Sequence, residues 1–371
     1  MRWRRRESRR SDDVSTSDDP HRHLWPGVPL ALASAVLFGA TPPLSKLLLV
    51  EISPFLLAGL LYLGAGVGLG IVAGLRGLSG ATPSEEAAIS RADLPWLSAA
   101  ILAGGVVAPV LLMSGLAHTT ASSGALLLNL EGLATMTIAW IVFRENVDRR
   151  LLVGAAAILA GAVVLSWTGT GLSLDLGGLL VAGACLAWGI DNNLTRKVSA
   201  ADPVRITLWK GLVAGSVNIA LALVGGDAMP PLGRSALAGL LGFFAVGVSL
   251  VLFIRALRHL GSARTGAYFS LAPFIGAVLS VVVLDEPLTP KLGLAAVLMG
   301  VGLWLHLSER HEHVHAHETI EHDHPHTHDE HHTHDHDGPV NEPHGHPHRH
   351  PPMVHAHVHY PDLHHRHGHG H

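Results

Sequence analysis

Long apolar runs separated by short polar breaks fill most of the chain, near 27–49, 53–75, 95–117, 121–143, 150–168, 176–196, 204–225, 235–257, 265–284 and 290–308. Each has the length, about 18–25 residues, that crosses roughly 30 Å of hydrocarbon as a helix. The runs are apolar all round and lack the polar face that a water-exposed helix shows. The pattern predicts an all-α polytopic membrane protein of ten transmembrane helices and argues against a soluble core.

The ten runs fall into two sets of five. Residues 26–168 and 176–308 read as copies of one block. Phe38-Gly39-Ala40-Thr41-Pro42-Pro43-Leu44-Ser45-Lys46 in the first is matched by Trp188-Gly189-Ile190-Asp191-Asn192-Asn193-Leu194-Thr195-Arg196 in the second. Gly115-Leu116-Ala117-His118 recurs as Ala256-Leu257-Arg258-His259, and Glu145 as Glu286. An odd number of spans per copy makes the second enter the bilayer upside down, the inverted-repeat plan of secondary transporters.

Charge sets the orientation. Arg2, Arg4, Arg5, Arg6, Arg9 and Arg10 precede the first run, and Arg76, Arg91, Arg144, Arg149, Arg150, Arg196, Lys197, Arg205, Arg255, Arg258, Arg264 and Arg310 fall on the same side. Only Arg234 and Lys291 fall on the other. Cytoplasmic loops retain Lys and Arg, so both termini are expected in the cytoplasm. Ala31, Ala33 and Ala35 imitate a cleavage site, yet the first run outlasts a signal core of about 7–15 residues, and an uncleaved span is expected. Abundant Ala, Gly, Leu and Arg with few Lys point to a prokaryotic plasma (inner) membrane. Residues 1–25 read as a basic disordered N-terminus, and the single Cys185 leaves no intramolecular disulfide.

These residues resemble the EamA-type members of the drug/metabolite transporter superfamily. The resemblance rests on the five-plus-five duplication, the aromatic-Gly pairs Phe38-Gly39 and Trp188-Gly189, Pro273-Phe274 of the ninth span, and the acidic residue in Arg144-Glu145-Asn146 and Asp285-Glu286-Pro287. It covers about residues 26–308. It implies an exporter or exchanger of amino acids, metabolites or drugs and leaves the cargo open; no enzymatic activity is expected.

Polar residues inside spans are the informative ones, because a charge at mid-bilayer costs about 2.5–3.5 kcal/mol on insertion scales and persists where a partner or cavity receives it. Glu131, beside Asn129 in the fourth span, is the first candidate for the central site. A desolvated carboxylate can take up a proton, so Glu131 could couple protons to transport or pair with a cationic cargo; it could equally be a neutral group bonded to a neighbouring helix. At its repeat-related place stands Pro273, expected to loosen that helix. Asp191, Asn192 and Asn193 form a second cluster, and successive steps of about 100° prevent all three from sharing one helix face. Lys210 is a candidate counter-ion for Asp191, or a cation reaching the membrane surface along its aliphatic stem.

Thr41, with Pro42 and Pro43 behind it, marks a stretch expected to be bent or unwound. Lys46 is expected at the outer interface as an anchor. Gly64, Gly66, Gly68, Gly70 and Gly74 offer small-residue helix packing. Several tryptophans, among Trp96, Trp140, Trp167, Trp209 and Trp304, are expected at interfaces, whereas Trp188 belongs to the repeated motif and the path.

Beyond Ser308 the character changes: only His21, His23, His118 and His259 of the chain's 29 histidines precede His306. Residues 309–371 have too little apolar surface to order and are expected to be disordered. Alternate imidazoles suit Zn, Ni, Co or Cu ions, with His311, His313, His315, His317, His322, His324, His326, His328, His334, His336, His344, His346 and His348 as candidate ligands. No cofactor is required.

Three functions are consistent with these features. The first is a secondary transporter, an exporter, of a small polar metabolite or drug with an accessory metal-binding tail. The second is a Ni, Co or Zn transporter with the tail as collector or sensor; against it, His118 and His259 fall at opposite faces. The third is a membrane-anchored metal buffer. Expected partners are the lipid bilayer, a small-molecule or ion substrate and a second copy of the chain, with no nucleic acid.

Overall fold

The computed structural model describes residues 26–79, 89–143, 149–167, 175–198, 202–260, 262–308 and, in the tail, 311–317, 320–326, 344–350 and 353–359. The basic N-terminus, Arg144-Glu145-Asn146 and the candidate ligands His328, His334 and His336 lie outside them. The chain divides into two units, Met1–Leu307 and Ser308–His371.

The first unit is helical. In chain order its spans are α1a (Gly27–Gly39) with α1b (Thr41–Leu48), α2 (Pro54–Leu78), α3 (Leu94–His118), α4a (Ala121–Leu127) with α4b (Leu130–Phe143), and α5 (Arg149–Ser166). The second copy supplies α6 (Leu176–Thr195), α7 (Pro203–Val224), α8 (Leu232–Leu257), α9a (Ser262–Phe269) with α9b (Ala272–Leu284), and α10 (Pro290–Leu307). Among the described residues, nine of these are long and apolar enough to cross a membrane by composition alone. The remaining one, α6, carries Asp191-Asn192-Asn193 near its end, which lowers its apolarity. Large apolar side chains such as Leu75, Ile141, Val282 and Val297 are exposed on the outside of the bundle, where lipid lies.

Several helix starts are written locally. Ser53 accepts the Leu56 N–H at 3.3 Å, Asp175 that of Gly178 at 3.0 Å and Asp202 that of Val204 at 2.8 Å. Pro54 and Pro203 follow two of these caps, at a position where a missing donor goes unnoticed.

The copies pair crosswise. The first span of one copy packs on the third and fourth of the other, so α1 meets α8 and α9 while α6 meets α3 and α4. Two like-numbered pairs, α2 with α7 and α5 with α10, join the copies through small residues. A Cβ at Gly211 would stand 2.7 Å from the Gly66 nitrogen, and one at Gly302 2.6 Å from the Gly154 oxygen. Gly64 and Gly68 also serve packing, against Gly239 and Phe243, whereas Gly74 meets nothing within 4 Å.

Regularity is interrupted at matched places. The fourth span breaks at Leu128-Asn129 and the ninth at Ser270-Leu271, each between two helical halves. The third and eighth spans each contain a π-helical segment, Ile101–Val107 and Phe243–Val248. Prolines follow two interruptions. Thr41-Pro42-Pro43 is itself helical, in the first turn of α1b, and the interruption expected there falls one residue earlier, at Ala40. Pro273 likewise occupies the first turn of α9b, and the ninth span is interrupted just before it, as expected of a residue that loosens its helix.

In the second unit, β1 (His311–His317) pairs antiparallel with β4 (Met353–His359), and β2 (Ile320–His326) with β3 (His344–His350). The sequence predicts no order here, and the described strands are two separate two-stranded ladders. Alternation of His with other residues is compatible with an extended chain, although ribbons of two strands are marginally stable in water.

Candidate functional site

A cavity of about 230 Å³ lies between the copies. Phe38 of α1a, Tyr62 of α2, Thr207 and Lys210 of α7, Ser249 and Phe253 of α8 and Phe269 of α9a contribute to its wall. Phe269 joins the other two phenylalanine rings, with centroids 5.3 Å from Phe38 and 5.0 Å from Phe253, in tilted and edge-on arrangements that aromatic rings favour.

The repeated aromatic-Gly pair explains how the wall is built. Gly39 lets α1 press onto the ninth span: a Cβ there would stand 2.5 Å from the Ala272 oxygen. Gly189 does the same for α6 on the fourth span, where a Cβ would stand 2.9 Å from that of Ala134. The neighbouring ring then turns inward in both copies. Phe38 faces the cavity directly, and Trp188 donates its indole N–H to the Gly104 carbonyl at 3.0 Å.

Gly104 belongs to the π segment of α3, whose carbonyls are served by side chains. Tyr62 donates its hydroxyl to the Gly104 oxygen at 2.9 Å, and Asn218, fully buried on α7, donates to Gly105 and Val106 at 3.2 and 3.4 Å. Single-turn π segments inside α-helices occur often at functional sites.

Lys210 and Asp191 form an ion pair, with both carboxylate oxygens 2.7 Å from Nζ. Asp191 is buried, accepts the Thr195 hydroxyl at 3.0 Å and lies hard against Gly104, where a Cβ would overlap its carboxylate. Lys210 lines the cavity, with Asp191 behind it. The pair is neutral as a unit, but the cavity meets its positive member.

A second network ties α4b to α6. Asn192 donates to Glu131 Oε1 and to the Thr135 hydroxyl, both at 3.1 Å, and Asn193 donates to the Gly189 and Thr135 carbonyls at 2.8 and 3.1 Å. Asn192 is exposed and Glu131 half-buried. Asn129 turns away at the break in the fourth span, donating to the Leu126 carbonyl at 2.8 Å beside Met299. Thr41 is buried in α1b with no partner for its hydroxyl.

The predicted residues thus fall into separate groups. Lys210, Asp191 and Trp188 meet at or behind the cavity wall, Glu131, Asn192 and Asn193 share one network, and Asn129 and Thr41 join neither. Lys46 stands at the end of α1b, beside the close of α3. It is half-buried and donates to the Leu116 and Thr119 carbonyls, the second at 2.8 Å, because the end of α3 presents acceptors that an ammonium satisfies. Trp96, Trp140, Trp167, Trp209 and Trp304 are exposed on the bundle surface.

Tyr62, Asn218, Thr207, Ser249, Phe253 and Phe269 were not singled out in the sequence. Tyr62 and Asn218 were accessible to the rule applied to Asp191, that a polar group inside a span needs a partner; the phenylalanines carry no such signal. Among the described residues no three His, Cys, Asp or Glu side chains are placed to hold a metal ion. The tail's side chains lie outside the described residues.

The model of the EamA-like transporter family matches residues 25–167 and 175–308, one match per copy. A protein of Methanothermobacter thermautotrophicus described as an uncharacterized transporter is 29% identical over 76% of this chain and 86% of its own length. A probable amino-acid metabolite efflux pump of Salmonella typhimurium is 25% identical over 50% of this chain and 67% of its own. A crystal structure at 20% identity covers 76% of this chain and 95% of that one with a TM-score of 0.56, and so shares the fold.

Proposed function

The chain belongs to the EamA-like transporter family, and from that membership we propose that it exports a small amphipathic metabolite bearing an anionic group across the plasma (inner) membrane, with both termini in the cytoplasm. The observation that carries this reading is the cavity itself, with phenylalanine rings on one side and the Lys210 ammonium on another. The rings suit an apolar body. Lys210 suits a carboxylate, which would share the ammonium with Asp191 or displace it.

Size favours a metabolite over a bulky drug, since a cavity of about 230 Å³ falls below the roughly 300–1,000 Å³ of drug-sized pockets. The Salmonella relative, named as an amino-acid metabolite efflux pump, supports cargo of this size and outward movement. The network of Glu131 and Asn192 is the candidate for proton coupling. The histidine tail is an accessory that binds Zn, Ni, Co or Cu ions; nothing described within the helices favours these ions as cargo.

Counterflow into proteoliposomes tests the reading with a panel of radiolabelled aromatic and branched-chain carboxylates, their amino-acid forms and the matching amines. Uptake of the carboxylates or amino acids that Lys210→Met abolishes is the expected result. Uptake confined to the amines, or to Ni and Zn ions, would overturn it.

A further inference from the structure

Thr41 and Ser45 lie one helical turn apart on α1b, and both are buried. Neither hydroxyl has a hydrogen-bond partner among the described residues. Hydroxyls inside helices ordinarily donate to the carbonyl one turn back, as Thr135, Thr137 and Ser280 do here at 2.9, 2.8 and 2.7 Å. Two buried, unsatisfied hydroxyls on one face of a broken helix disfavour this packing relative to any arrangement in which water or cargo reaches them.

What encloses them is the half of the bundle away from the start of α1a and the end of α10. There α1b, α4a and α9b pack together, with the end of α3 and the start of α8 beside them. Toward the terminal side the same spans part: α4b packs on α6, whereas α9a packs on α1a and α8. Exposed Asn192 and half-buried Glu131 lie on that parted side.

Charged groups fasten the closed half: besides the Arg234–Glu51 ion pair at 2.6 Å, Glu286 and Lys46 do so. Asp285 adopts a left-handed conformation, φ 54°, where α9b ends, and Glu286 follows it to accept the backbone N–H of Ala121 and Ser122 at 2.7 and 2.9 Å. The ninth span is thereby tied to the fourth. Lys46 ties α1b to the end of α3 through the Leu116 and Thr119 carbonyls.

We infer that Thr41 and Ser45 line the distal half of the transport path, that this half is collapsed in the present conformation, and that Glu286, with Lys46, is the latch that keeps it shut. When the latch opens, the two hydroxyls face water and can pass a polar cargo group from hydroxyl to hydroxyl. In this conformation they are sealed.

Cysteine labelling reads this directly and requires no cargo, so its outcome is independent of the substrate assignment above. In a chain carrying Cys185→Ala, Ser45→Cys is exposed to a membrane-impermeant maleimide in spheroplasts and in inverted vesicles, with Asn192→Cys as the reporter of the terminal side. Ser45→Cys is expected to react slowly with the latch intact. Adding Glu286→Gln should speed labelling about tenfold, the size of an ordinary two-state bias, and from the face opposite the one that labels Asn192→Cys. Lys46→Gln provides a second, independent opening variant should Glu286→Gln fail to assemble. An unchanged rate in a folded latch variant, even one with a lowered melting temperature, would reduce Glu286 to a structural cap and overturn the inference. So would labelling of both cysteines from one face.

Discussion

Lys210 and Asp191 sit 2.7 Å apart in a setting where neither charge could stand alone. Removing one partner of a buried pair typically costs about 3–5 kcal/mol, because the other is left uncompensated, whereas replacing both can be nearly neutral. Lys210→Met should therefore lower the melting temperature of the purified protein sharply, and Asp191→Asn added to it should recover most of the loss without restoring counterflow. If stability and transport return together in the double variant, Lys210 has no role beyond folding. Gly104→Ala is expected to act on the same pair from the other side. Its Cβ would overlap the Asp191 carboxylate, and overpacking of this kind costs about 1–3 kcal/mol. The predicted signature is a loss of both melting temperature and flux, with Gly74→Ala, which meets nothing within 4 Å, leaving both intact.

The matched irregularities of the spans place these residues. The π segment of α8 contributes Val246 to the cavity wall, and that of α3 lies behind it, presenting the Gly104 carbonyl to Tyr62 and Trp188. A π segment is one residue more than an α-helix needs. Deleting Gly105 should close α3 into regular helix with its two halves still in register, so that the carbonyls now reached by Tyr62, Trp188 and Asn218 return to the helical ladder. Circular dichroism should then show helicity unchanged while transport is lost; retained transport would make the π segment incidental. Such features were hard to read from the chain. The spans were legible because lipid demands long apolar runs, and the repeat was legible through Phe38-Gly39 and Trp188-Gly189. The ion pair was legible because unpartnered charges are rare in a bilayer. The break at Leu128-Asn129 carries no Pro or Gly to announce it, and Phe253 and Phe269 look in sequence like any lipid-facing ring. Lys46 was legible as a cation at the end of the first span; its partners were not, because only the packing brings the acceptors closing α3 beside it.

At the scale of the molecule, two copies of one block enclose the cavity and a histidine-rich segment follows them. Crosswise pairing makes each copy incomplete without the other, since Phe38 and Tyr62 come from one and Lys210, Phe253 and Phe269 from the other. Neither half should bind cargo by itself. The tail stands differently, because the chain divides at Leu307 and Ser308, and every residue lining the cavity precedes that point. Removing residues 309–371 should therefore abolish retention of the purified protein on immobilised Ni or Zn while leaving carboxylate counterflow at the full-length rate. Metal binding that persists would move the ions to His21, His23, His118, His259 or His306, whereas a fall in organic flux would make the tail part of the transport cycle. Acidification gives a second measure of the same separation. Imidazoles lose metal as they protonate, so the full-length protein should release bound metal below neutral pH, and the truncated one should have none to release.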